Sequence, residues 1–121
     1  MTGILRAALP LAILLGAPAV AHAHAFLERA APAVGGRVHG APGEVRLRFN
    51  ERLEPGRCSV KVLDARGERM DTGVASMDDG DRQAVFVALR PVPAGVYKVI
   101  WRVVSGDGHA TEGDFTFEVV P

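Results

Sequence analysis

Residues 96–104 read VYKVIWRVV, setting Tyr97, Val99, Trp101 and Val103 against Lys98 and Arg102 with a period of two. A helix would scatter those apolar side chains around its circumference, whereas an extended strand puts them all on one face. The same period returns in EVRLRFN, where Val45, Leu47 and Phe49 alternate with Arg46 and Arg48, and in DFTFEVV, with Phe115, Phe117 and Val119. CSVKVLD places Cys58, Val60 and Val62 on one side and Ser59, Lys61 and Leu63 on the other. QAVFVAL is nearly all apolar, as expected of a strand buried on both faces. DARG, MDDGD, PVPAG and SGDG punctuate these runs as turns. From residue 24 onward no ten-residue window carries a convincing helical period. About seven short strands predict an all-β fold, an antiparallel Greek-key sandwich or small barrel.

The first residues read differently. Arg6 and the initiator amine form a thin positive region, and AALPLAILLG (Ala7 to Gly16) is apolar. Small residues spaced for cleavage follow between Ala17 and Ala25, the layout of a secretory signal. Pro10 and Pro18 interrupt the apolar run, which falls short of the roughly 20 residues that span a bilayer. A cut after Ala19, Ala21, Ala23 or Ala25 would satisfy the pattern, and two of these expose a histidine. Cutting after Ala21 leaves His22-Ala23-His24, a sequence suited to a square-planar amine–amide–imidazole copper site. Cutting after Ala23 leaves His24 first, with an α-amine and an imidazole Nδ1 able to close one chelate ring. Composition alone leaves that choice open.

Removing residues 1–23 leaves 98 residues, one domain's worth, with 13 Lys+Arg against 14 Asp+Glu. That balance argues against a nucleic-acid or anionic-membrane surface. Secretion implies an oxidising compartment, yet Cys58 is the only cysteine. Packing rather than disulfides must hold the core, with Cys58 a small buried hydrophobe in a strand.

The stretch SGDGHATEGD sets Asp107 and His109 two apart, just after the strongest strand. On extended backbone such a pair shares a face, so a carboxylate and an imidazole converge. Alone the motif is weak and fits a polar turn in which Asp107 bonds its own backbone. Joined to a free amino-terminal histidine, it completes an amine, two imidazoles and a carboxylate. Nitrogen-rich tetragonal sets suit Cu(II), which also stands above zinc in the affinity order. Met70 and Met77 lie seven residues apart in a polar loop, RMDTGVASMDDG, and read as gap-fillers or loop residues rather than a Cu(I) set. His39 reads as a solvated turn residue. Asp78, Asp79 and Asp81 lack the ligand spacing of a calcium loop. No nucleophile–histidine–acid context or phosphate-cradling glycine loop occurs.

Taken together, His24-Ala-Phe-Leu through Pro32-Ala-Val-Gly, LRFNERLEP, and AGVYKVIWRVVSGDGHATEGDFTFEV resemble the CopC/PcoC periplasmic copper-resistance proteins. The resemblance runs from His24 to Val119 and favours cleavage after Ala23, giving a signal peptide at 1–23 and a copper-binding domain at 24–121. It implies a seven-stranded cupredoxin- or immunoglobulin-like β-barrel that binds one Cu(II) per chain in the periplasm. The family's ligands fall on His24, Asp107 and His109, and a family glutamate falls on Glu51 as a weak or outer contact. An inner-membrane CopD-type copper transporter is the partner that the resemblance implies. In this chain the family's methionine-rich Cu(I) loop is reduced to Met70 and Met77.

Two other classes compete with a carrier. Lytic polysaccharide monooxygenases also hold copper with an amino-terminal histidine on a β-sandwich. This chain is short for such an enzyme, and a single Trp and a single Tyr leave little for a flat polysaccharide-binding face. Asp107 would also fill a copper position that oxygen chemistry needs open. An immunoglobulin-like adhesion module with an accidental Asp-x-His is the other rival.

Overall fold

A computed structural model describes residues 25–121. The described chain holds eight strands and no helix: β1 (Leu27–Ala31), β2 (Arg37–His39), β3 (Glu44–Phe49), β4 (Ser59–Leu63), β5 (Asp71–Asp78), β6 (Asp81–Leu89), β7 (Gly95–Val104) and β8 (Ala110–Val120). They form two four-stranded sheets, ordered β1-β3-β6-β5 and β2-β8-β7-β4. All neighbours are antiparallel except the short β2, which runs parallel to β8. The all-β, two-sheet expectation holds.

Alternation explains how the sheets meet. Val45, Leu47 and Phe49 of β3, Val60 and Val62 of β4, and Tyr97, Val99, Trp101 and Val103 of β7 all point into one core. Phe115, Phe117 and Val119 of β8 join them. Each such side chain contributes about 1.5–3 kcal/mol when fully buried. Two aromatic pairs order the interior. Phe49 meets Trp101 edge-on at 5.0 Å, linking the sheets, and Tyr97 stacks on Phe117 at 5.6 Å. Trp101 pairs in register with Gly113, and a Cβ there would lie 2.6 Å from the indole Cζ2. The glycine gives the indole its room.

Three local expectations need correction. QAVFVAL, in β6, is not buried on both faces. Phe86 points outward, half-covered by the Arg46 guanidinium 4.6 Å above its ring, and Ala88 is exposed. The supposed polar loop RMDTGVASMDDG is mostly strand β5, an edge strand whose register with β6 shifts between Asp71 and Ala75. Gly73, at φ +94°, accompanies that irregularity, which erases the period-two signature. Met70 and Met77 are partly buried against the core, as gap-fillers. His39 ends β2 rather than sitting in a turn, and is exposed with its Nδ1 3.4 Å from the Pro121 carbonyl oxygen.

Asp71 carries the largest polar burden of the fold. Its carboxylate is buried and accepts the Val62 N–H from β4 at 2.8 Å. Arg69 forks onto both of its oxygens, at 2.8 and 2.7 Å. A backbone bond from Met70 N–H to Val62 C=O, 2.7 Å, lies beside it. This cluster joins the edge of one sheet to the edge of the other. Burial pushes the Asp71 pKa up, but the Arg69 bonds, the Val62 N–H and the Arg69 charge outweigh it, so the net shift is downward.

Candidate metal site

Strands β7 and β8 are joined by Ser105–His109, the turn that carries the Asp-x-His motif. Val104 pairs with Ala110 at its base, Ser105 N–H donates to His109 C=O at 2.9 Å, and Gly108 N–H donates to Ser105 C=O at 2.8 Å. Gly108, at φ +92°, takes the left-handed conformation that closes so short a reversal. A neighbouring segment props the turn from outside. Gly106 N–H donates to Arg52 C=O at 2.8 Å, and Leu53 bridges to Ser105.

Asp107 and His109 do come together, through this turn rather than on extended backbone. The imidazole Nδ1 lies 3.1 Å from Asp107 Oδ2, and the two side chains are 58% and 44% exposed. The other carboxylate oxygen accepts the hydroxyl of buried Ser105 and lies 3.3 Å from the His109 N–H. Ser105 Oγ also sits 3.2 Å from the His109 carbonyl oxygen. The Ser105 hydroxyl, opposed by desolvation and helped by the backbone and imidazole of His109, holds the Asp107 carboxyl down at about 2. The pair is therefore a fixed carboxylate beside an oriented imidazole at the surface.

Glu51 is half-buried, just beyond the end of β3, on the segment whose Arg52 and Leu53 flank the turn. Among the described residues, no three His, Cys, Asp or Glu gather into a group that could hold a metal. Asp107 and His109 thus supply two donors, and Glu51 does not complete a cluster with them. His24, the remaining expected ligand, lies outside the described residues, as does the 1–23 signal segment.

The first described residue, Ala25, is firmly held. Ala25 is 1% exposed and belongs to the core cluster. Its carbonyl oxygen accepts the Thr111 hydroxyl at 3.1 Å. Phe26 N–H donates to Asn50 Oδ1 at 2.5 Å, and Asn50 N–H donates back to Phe26 C=O at 3.1 Å. Asn50 follows β3 in one sheet, while Thr111 lies near the start of β8 in the other. Ala25 and Phe26 therefore form a strap across the end of the sandwich that carries the Ser105–His109 turn. Sequence reasoning missed Ser105, Asn50 and Thr111. Ser105 had a signal, a serine two before the aspartate of a tight turn, whereas Asn50 and Thr111 are marked only by the fold.

The domain is a two-sheet β-sandwich with an exposed carboxylate–imidazole pair on one end-turn, and comparison with known proteins gives the family. The CopC domain family matches residues 27–120, and the chain belongs to it. It is 38% identical over 98 residues to Protein YobA of Escherichia coli strain K12, covering 80% of this chain and 79% of that protein. It is 34% identical over 107 residues to Copper resistance protein C of Pseudomonas syringae pv. tomato, covering 84% of each. The crystal structure of CopC from Methylosinus trichosporium OB3b superposes with a TM-score of 0.77 at 33% identity, covering 81% of this chain and 95% of that one. A 31% identical match to the Copper transport protein CutJ of Bacillus subtilis covers 84% of this chain but spans only 19% of that longer protein.

Proposed function

We propose that this chain is a periplasmic Cu(II)-binding protein of copper resistance, a carrier or buffer rather than an enzyme. Cleavage after Ala23 leaves His24 as the first residue of a 24–121 domain. Its amine and imidazole then join Asp107 and His109 around one copper, with Glu51 as a weak or outer contact. The observation that carries the reading is the exposed Asp107–His109 pair on the end of the sandwich where Ala25 is anchored. His24 is one peptide bond from Ala25, so their Cα atoms are about 3.8 Å apart. His109 precedes Thr111, which holds Ala25, by two residues, or about 7 Å of extended chain. Two imidazoles can meet across such a span.

The donor set fits the metal. Nitrogen and carboxylate oxygen suit Cu(II), whereas Cu(I) prefers thioethers or thiolates. Met70 and Met77 are partly buried against the core, and Cys58 is half-buried with its thiol pushed up by burial and 3.6 Å from the Glu54 carbonyl oxygen. Soft ligands are therefore poorly placed for a second metal. Family membership and the name of the Pseudomonas relative support the copper-resistance role. The CutJ relative, a longer protein named for copper transport that contains a stretch similar to this chain, supports a link to copper transport; the receiver we propose is an inner-membrane CopD-type transporter. The test is mass spectrometry of the exported protein with and without copper. The reading expects a mature mass beginning at His24 and one added copper, lost in His109→Ala. A mature chain lacking His24, or undiminished copper in His109→Ala, would refute it.

A further inference from the structure

We infer that Asn50 and Thr111 are positioning residues of the copper site, holding the strap that brings the amino-terminal donor onto Asp107 and His109. The inference rests on the reading above that His24 is a ligand. A metal-binding chain end poses a particular difficulty. A terminal residue is ordinarily among the least ordered in a domain, and each freely rotating backbone unit costs roughly 1–2 kcal/mol to fix. Here that ordering is already complete at the next residue. Ala25 is buried in the core, its carbonyl is held by Thr111, and Phe26 is paired through both backbone groups with Asn50.

The strap's anchors also tie it to the same frame as the turn. Thr111 pairs with Val103 in the β7–β8 ladder that ends at the Ser105–His109 turn. Asn50 precedes Glu51 and Arg52, and Arg52 props Gly106 in that turn. A displacement of either anchor would move the strap relative to Asp107 and His109 without touching either side chain. The side chain of Phe26 cannot do this work, because it is 60% exposed. The fixing must come from the backbone bonds and the Ala25 methyl. Supporting groups of this kind act on metal affinity through ligand orientation.

The experiment is a double-mutant cycle on the protein beginning at His24. Asn50→Ala and Thr111→Val remove the acceptor and the donor, while Asn50→Asp and Thr111→Ser retain them. Thr111→Val is nearly isosteric and serves alone if Asn50→Ala does not fold. Cu(II) affinity is measured by chelator competition, and the ligand field by EPR, in the protein as it stands, with His24→Ala, and with His24→Ala whose amino terminus is acetylated. The expected result is a loss of about 10–100-fold for Asn50→Ala or Thr111→Val, with an EPR spectrum approaching that of His24→Ala. Asn50→Asp and Thr111→Ser restore both. Added to an amino-terminally acetylated His24→Ala protein, which lacks both the free amine and the imidazole of residue 24, the same substitutions change nothing further, since the anchors act through residue 24. Wild-type affinity in the anchor variants, or an equal loss in the acetylated His24→Ala background, overturns the inference. If His24→Ala alone binds Cu(II) as wild type does, the ligand reading itself fails, and that outcome is distinct.

Discussion

Replacing Asp71 by asparagine should destabilise the sandwich, and the size of the effect follows from its three bonds. The carboxylate has no exposed side-chain surface, whereas Arg69 is 45% exposed. Removing the negative charge therefore leaves a guanidinium that water can still reach, so the loss falls below the 3–5 kcal/mol of a fully buried broken pair. Asparagine keeps an oxygen for the Val62 N–H and Arg69 Nε, which share Oδ1, but turns its amide NH2 toward Arg69 Nη2, so one charge-assisted bond loses its ionic partner and the other becomes a donor–donor contact. Such bonds are worth about 1.5–3 kcal/mol each when well made, and exposure on the arginine side discounts that. We expect a loss of about 2 kcal/mol, or roughly 8–16 °C in Tm for a domain of this size. Asp71→Ala, which also orphans the Val62 N–H, should lose about 1–3 kcal/mol more.

The same substitution carries a pH signature. The folded-state pKa of Asp71 lies below its ordinary 3.8. A depressed carboxyl stabilises the fold above its unfolded pKa, and that contribution disappears as pH falls through the folded value. The Tm gap between wild type and Asp71→Asn should therefore be full at pH 7 and shrink below pH 4. Thermal unfolding by circular dichroism at several pH values measures it directly. A gap near zero at pH 7, or one that stays constant down to pH 2.5, would refute the reasoning.

Four further outcomes are expected. Gly113→Ala should cost about 1–3 kcal/mol by forcing the Trp101 indole from its place, read as a lower Tm and a shifted emission from the single tryptophan; unchanged values would contradict the packing. Ser105→Ala should raise the Asp107 pKa from about 2 toward its ordinary 3.8 in an NMR titration, because the hydroxyl that favours the charged form is gone. Calorimetry should find one tight Cu(II) per chain, preferred strongly to Zn(II); a second tight copper bound as Cu(I) would show that Met70 and Met77 are accessible after all. Copper-loaded protein given ascorbate and peroxide should release no oxidised oligosaccharides from chitin or cellulose, and release abolished by His109→Ala would make it an enzyme.

The strands with clean alternation were legible because one face is core and the other is water. Val45, Leu47 and Phe49, or Phe115, Phe117 and Val119, need no tertiary knowledge to assign. Strand β5 was hidden for a physical reason: its start is a buried aspartate satisfied by Arg69 and by the Val62 N–H of β4, and a glycine-containing irregularity breaks its period. The three-residue β2 is too short to show a period, since only its pairing with β8 makes it a strand. At the site, the Asp107–His109 pairing was visible in the spacing, but its cause was misjudged, because the turn rather than extended backbone joins them. Asn50 and Thr111 lie far from each other in sequence and meet the strap only through sheet topology.

The central claim is that the free amino terminus of His24 helps to hold copper, and one residue of extension tests it. An α-amine titrates near 7.7–8.0 and a histidine near 6.5, so Cu(II) binding at neutral pH displaces protons from the terminus. Inserting a single glycine before His24 converts that amine into an amide while leaving every described strand untouched. Cu(II) affinity, followed with EPR between pH 8 and pH 5, should fall by orders of magnitude in the extended protein, and in the correctly cut protein should decline as the pH drops. An extended protein with wild-type affinity and an unchanged spectrum would place the copper on side chains alone and contradict the account.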